Sequence, residues 1–397
     1  MARFATATLI PAILIALAAY LGGAWVWLAL GYLTLFILVL DRLGDAASAQ
    51  MPEETEFPAA TWLLITLGCL HFFLLGLLVW STLPAAGLDA GARIGVAIAI
   101  GLTWGQISHP VAHELIHARH PAARRLGRMI YTSVLAGHHA SAHLRLHHVH
   151  VGTLRDPNTP RRGEGFYRYA LRASRDSFLG GWREESRLHR GSRLAHPYVT
   201  YLAGGTALVL GTWALAGPIG ALTLLVVALH AQMQILMSDY VQHYGLERQI
   251  MPDGHPEPVG PQHAWNAPHI GSSALMLNAT RHSHHHMDPR APFPALDLDA
   301  QTMPMLPKPL PVMAAIALLP PLWRRIMDPL CAHWRHRDWQ PRKSPQTARA
   351  VRKAAGLTQQ ALPQSRHVPR APLSPSGSRS GPDLGKPGAG RDERRRI

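Results

Sequence analysis

The chain has 397 residues, with 39 Lys and Arg against 24 Asp and Glu, a formal charge of +15, and 25 histidines. Its two cysteines, Cys69 and Cys331, exclude a disulfide framework and a four-cysteine iron centre built from this chain alone. The basic residues lie mostly in loops after apolar runs and in the last stretch, a pattern of membrane topology and headgroup attraction rather than of nucleic-acid binding.

The mean hydropathy, +0.01, conceals long uncharged apolar runs separated by Arg- and His-rich stretches. The first two runs, 5–21 and 24–40, are separated by Gly22-Gly23 and read as a tight helical hairpin. Arg3 alone makes too weak a basic start for a cleaved signal peptide. A polar stretch from Asp41 to Phe57 precedes a third run, 61–80, whose residues at 1.5 Å each cover about one hydrocarbon thickness. The fourth, Ile94 to Ile107, is short, and Arg93 snorkelling to the interface extends it to about 93–108. From His109 to His196 no run is long enough to span. The fifth and sixth runs are 198–216 and 219–237, separated at Gly217-Pro218. Val312 to Trp323 is apolar but too short, is broken at Pro320-Pro321, and reads as an interfacial segment.

The expected fold is therefore all-α: a six-span transmembrane bundle with a helical cap. Six crossings put both termini and both His-rich regions on one side, and the fifteen arginines between His109 and His196 make that side cytoplasmic. The expected organisation is a membrane domain over 1–338 and a disordered basic tail over 339–397, too poor in large apolar residues to order itself.

The histidines fall in four places. His113-Glu114-Leu115-Ile116-His117 puts two imidazoles four apart on one helix face, and also matches HExxH, where Glu serves zinc peptidases as a general base. In His138 to His150, two registers compete: His139, His143 and His147, or His143, His147 and His148. Asp239-Tyr240-Val241-Gln242-His243-Tyr244-Gly245-Leu246 offers one histidine. In Arg281-His282-Ser283-His284-His285-His286, the i, i+3, i+4 set His282, His285 and His286 shares a face, with His284 pointing away. One zinc takes about four protein ligands, so nine to eleven imidazoles at same-side span ends imply two metals. Imidazole suits Fe, Cu, Ni and Zn alike.

In these motifs the chain resembles the alkane 1-monooxygenases of the membrane-bound fatty acid desaturase and hydroxylase superfamily. The strings that carry the resemblance are HELIH at 113–117, HLRLHH at 143–148, DYVQHYGL at 239–246 and RHSHHH at 281–286. Thr153-Leu154-Arg155-Asp156-Pro157 follows the second box as in that family, which selects His143, His147 and His148 over His138 and His139. The resemblance covers roughly 60–330. It implies two iron ions (Fe2+/Fe3+) held by His113, His117, His143, His147, His148, His243, His282, His285 and His286, with O2 as co-substrate. Breaking an unactivated C–H bond needs an oxidant that side chains cannot supply. Neutral imidazoles leave the metal pair positively charged, so Glu114, Asp156, Asp239 and Asp288 are candidate compensating carboxylates. Gln242, Asp239, Ala142, Ala118 and His284 depart from the family pattern at positions that orient imidazoles and tune the metal.

The implied activity is hydroxylation of the terminal carbon of alkanes or similar hydrophobic substrates drawn from the bilayer. The alternatives are a fatty acid desaturase, a hydroxylase of aromatic methyl groups or acyl chains, an intramembrane zinc peptidase using Glu114, and a metal transporter. Two cysteines and no Gly-rich nucleotide fingerprint leave electrons to an external donor; the resemblance implies a rubredoxin or ferredoxin with its reductase. An acidic donor would suit a basic cytoplasmic surface that includes Arg161 and Arg162. Gly68, Gly76 and Gly101 could make room between spans, while His71 and His230 are polar groups within them.

Overall fold

In the computed structural model of the protein, the described residues are 1–43 and 58–335; the expected tail and most of the Asp41–Phe57 stretch lie outside them. Among the described residues the regular structure is helical, apart from isolated bridges pairing Ile250 with Pro256 and Asn266 with Met305.

Helix α1 (Ala2–Leu21) turns at Gly22-Gly23 into α2 (Ala24–Arg42), and α3 (Pro58–Thr82) packs beside α1. Helix α4 (Ala90–His117) starts on a cap: the Asp89 carboxylate accepts from Ala92 N at 2.8 Å. It does not stop near 108, where the apolar run ends, but continues through His117. Pro110 has no N–H for the helical ladder, and the ladder widens to i→i+5 bonds over Trp104–Ser108 immediately before it. The first histidine box thus rides on the last turns of a membrane-length helix.

Next come α5 (Pro121–Ser133), α6 (138–150) and α7 (Phe166–Leu188), followed by the long α8 (Pro197–His243). Gly217 in α8 has φ 65° and ψ −167°, a region essentially reserved for glycine. In one straight helix Gly204 and Gln232 would stand about 42 Å apart. Instead Thr132 packs on Gly204 while Gln232 Nε2 donates to Val134 O at 2.9 Å. The two arms of α8 therefore run back along each other as a hairpin, covering the two runs expected at 198–216 and 219–237. Among the described residues, five helices, counting α8 once, are long and apolar enough to cross a membrane.

Short helices α9 (Ile270–Leu275), α10 (His282–Met287) and α11 (Leu310–Ala317) lead to α12 (Pro320–Arg335), and the chain breaks between α11 and α12 where the prolines predicted it would. One apolar core joins α1 to α5 with the second arm of α8 and with α9. A second joins α7, the end of α8, α11 and α12 around Tyr240, Tyr244, Trp265 and Trp323, all fully buried. Phe4 meets Phe293 edge-on at 4.9 Å, and the Asp41 carboxylate accepts from Ser272 N at 2.8 Å. The start of α1 and the end of α2 thus both reach the segments around α9 and α10.

Candidate metal centre

Four elements bring their histidines to one place: the end of α4, α6, the end of α8, and α10. His113, His117, His143, His148 and His285 each offer a ring nitrogen within 4.8 Å of the others, and His147, His243, His282 and His286 do the same. The two groups abut: the His148 and His286 rings are 4.7 Å apart and those of His147 and His148 are 5.8 Å apart. All nine rings named from the sequence fall in one of these two groups, and His138 and His139 in neither.

The second box shows how backbone geometry does this. In a regular α-helix His147 stays near the face of His143, while His148 turns about 140° away from it. Over His143–His147 the helix is instead closed by i→i+5 bonds. Each residue then turns by about 80° rather than 100°. The i+4 and i+5 rings straddle the face of the first, so His147 serves one group while His143 and His148 serve the other.

The nitrogens are arranged as donors around ions. Nε2 of His148 lies 2.9 Å from Nε2 of His143 and 3.2 Å from that of His285. Nε2 of His282 lies 3.0 Å from that of His243 and 3.1 Å from that of His286. Two imidazoles at right angles on an ion, each with a bond of about 2.1 Å, have nitrogens about 3.0 Å apart. Nε2 of His113, His117 and His147 is buried with no hydrogen-bond partner, a costly state unless another group binds there. Burial, followed by the neighbouring imidazoles, holds His143, His148, His282, His285 and His286 well below the usual histidine range. They are neutral at pH 7 with lone pairs available, the form a metal requires. The residues present fit a pair of metal ions.

Around the rings the carboxylates divide by role. Asp156 Oδ2 accepts from His147 Nδ1 at 2.8 Å and from Thr159 Oγ1 at 2.7 Å. Burial pushes the Asp156 carboxyl up, but His147 and these hydrogen bonds outweigh it and hold the group below the usual carboxylate range. His147 is held in the reciprocal sense: burial lowers it, and the Asp156 carboxylate raises it above the ordinary value. Asp239 connects through Asn158, whose Nδ2 donates to it at 2.6 Å; Ser177 Oγ donates to the other side of the same amide. Glu114 Oε2 accepts from Phe293 N at 3.1 Å, which ties α4 to the loop after α10, and its Oε1 lies 4.0 Å from His113 Nδ1. Asp288 is exposed and accepts from Arg290 N in a turn.

Other sequence expectations sort as follows. Gln242 Nε2 donates to Ala279 O at 2.8 Å, so it braces the approach to α10. His284 Nδ1 accepts from Asp297 N at 2.6 Å, away from the pocket. His71 bonds Ser108 Oγ at 2.9 Å and Ser133 Oγ at 2.7 Å, which ties α3 to α4 and α5. A Cβ on Gly68 would lie 2.8 Å from Leu126, and one on Gly101 2.6 Å from His230, so these two glycines serve close packing. Gly76 borders an apolar groove of about 570 Å³ between α3 and the first arm of α8, which runs from Phe72 to Leu83. The Asn158–Ser177 relay has no motif to announce it. His109 and His139, each four residues before a grouped histidine, did have a signal in their spacing.

A profile of the fatty acid desaturase family matches residues 91–316. Alkane 1-monooxygenase 2 of Pseudomonas aeruginosa is 30% identical over 77% of this chain and 84% of its own length. Alkane 1-monooxygenase 1 of the same organism is 30% identical over 73% of this chain and 79% of its own. The xylene/toluene monooxygenase hydroxylase component XylM of Pseudomonas putida is 28% identical over 85% of this chain and 89% of its own.

Proposed function

Because the chain belongs to the fatty acid desaturase family, we propose that it is a membrane-bound non-haem di-iron monooxygenase that hydroxylates the terminal carbon of alkanes or similar hydrophobic molecules. The observation that carries this reading is the convergence of nine imidazoles into adjoining groups of five and four. His113, His117, His143, His148 and His285 would hold one iron, and His147, His243, His282 and His286 the other. Two iron ions bound there would turn O2 into the oxidant that an unactivated C–H bond requires.

The chain's own part is positional. Asp156 fixes the tautomer and orientation of His147 by taking its Nδ1–H, and the carboxylate offsets positive charge. Glu114, spent on Phe293 N, acts here as a strut rather than as a hydrolytic base. The two arms of α8 supply the fifth and sixth crossings. The histidine end and both termini face the cytoplasm of an inner or cell membrane, in line with the arginine-rich loop. Substrate enters from the bilayer, and electrons come from an acidic rubredoxin or ferredoxin with its reductase. Residues 1–338 form the oxygenase domain and 339–397 a basic tail.

The test is product analysis with octane, a xylene and a fatty acid on membranes supplied with reductant. 1-Octanol as the main product supports the reading. A benzylic alcohol with no octanol would instead select aromatic-methyl hydroxylation, which the likeness to alkane 1-monooxygenases does not favour. Arg161 and Arg162 are exposed. Charge reversal there should slow reduction by an acidic donor and flatten its salt dependence; unchanged kinetics would remove them from the docking patch.

A further inference from the structure

Beside the nine rings lies a second, smaller cluster that the proposed reaction does not use. His109 and His139 each stand one helical turn before a grouped histidine, His113 and His143. Between them is Tyr131 of α5, fully buried. Its hydroxyl lies 3.0 Å from His109 Nδ1 and 3.5 Å from His109 O, so the imidazole is the nearer acceptor. The Tyr131 ring is 4.9 Å from the His139 ring, which stacks on His143 at 5.4 Å with the planes 30° apart. On the other side the His109 ring is 6.2 Å from His113. Two short chains of rings thus join one buried phenol to two histidines of the five-ring group, and the phenol carries its own proton acceptor.

We propose that Tyr131, paired with His109, is an internal one-electron donor to the metal pair. It acts when an oxidising equivalent from O2 forms with no substrate to consume it. This rests on the oxygenase reading above. In the step, Tyr131 is oxidised by one electron and the metal pair is reduced by one. The phenolic O–H bond breaks and its proton moves to His109 Nδ1, leaving a neutral tyrosyl radical beside an imidazolium. One electron from the external donor then reduces the radical, and the proton returns to the phenol. Burial suits this use, because a radical shut away from water decays slowly back along the path it came by. Without such a donor, the oxidising equivalent would attack the imidazoles or the nearby apolar side chains.

The experiment uses the iron-loaded full-length protein, reduced and mixed with O2 without alkane, then frozen for electron paramagnetic resonance. The wild type should show an organic radical with phenolic ring-proton splitting. Tyr131→Phe, which keeps the ring and removes the hydroxyl, should lose that signal and inactivate several-fold faster in substrate-free turnover. Incorporating 3-fluorotyrosine should change the splitting, which identifies the radical as a tyrosine even if Tyr131→Phe folds poorly. No radical in the wild type, or the same radical in Tyr131→Phe, overturns the proposal. Octane hydroxylation is measured on the same preparation. If octanol forms but Tyr131→Phe behaves as the wild type, the relay alone fails; if no hydroxylated product forms from any substrate, the oxygenase reading itself fails.

Discussion

At the scale of single residues, the nine imidazoles were legible because their strings repeat a family pattern; helical spacing alone left the register of the second box open and gave the lone His243 little weight. Their partners were not. Asp156 could be named from its place before Pro157, but not the bond to His147, which a turn at Asn158 and Thr159 creates. Asn158 itself left no trace in the sequence, because an amide that donates to an aspartate 81 positions away is a product of folding. Outer carboxylates on metal-bound histidines typically change metal affinity about 10- to 100-fold when removed. Asp156→Ala should therefore weaken metal binding by about that factor, read by competition with a chelator. Asp288→Ala, which removes only an exposed turn contact, should leave it unchanged. Equal affinities for the two variants would contradict the assignment of Asp156.

At the scale of elements, apolar run length located the helices long and apolar enough to cross a membrane, and α4 carries on past its apolar run to His117. Hydropathy stops at the last apolar residue, whereas the hydrogen-bond ladder continues through Pro110 to His117 because a wide turn precedes the proline. The same kind of turn over His143–His147 separates His147 from its neighbour His148, and nothing in the run of side chains announces it. The break in α8 was easier to foresee, since Gly217-Pro218 removes both a Cβ and an N–H at one point. Its backbone now gives that reading a quantity: a side chain at φ 65° and ψ −167° costs about 1–3 kcal/mol. Gly217→Ala should lower thermal stability in detergent accordingly. Gly211→Ala, in the same arm at a site open to a Cβ, should not. Equal melting temperatures would argue against the hairpin.

At the scale of the whole molecule, the sequence could say that the histidines lie at the same-side ends of membrane helices. It could not say that they divide five and four, because that depends on how α4, α6, α8 and α10 cross. Burying so many imidazoles together has a consequence for the metal-free protein. His143, His148, His282, His285 and His286 are pushed well below the usual histidine range, first by burial and then by one another. The unfolded chain takes up protons on these groups near about pH 6.5 while the folded chain does not, so the stability present above that pH is lost as the pH falls below it. Melting temperature of the metal-free protein should drop from pH 7 to pH 5, and the extra stability that bound metal adds at pH 7 should be lost over the range where the ligands are protonated. A flat profile without metal would mean the rings are not buried together.

Whether these nine rings hold a pair of iron ions is decided by metal analysis with Mössbauer spectroscopy on the purified, iron-loaded protein. Two irons per chain with the spectrum of a coupled pair are expected, with loss of that pairing in His282→Ala. One metal per chain, or two irons that behave as isolated centres, would contradict this.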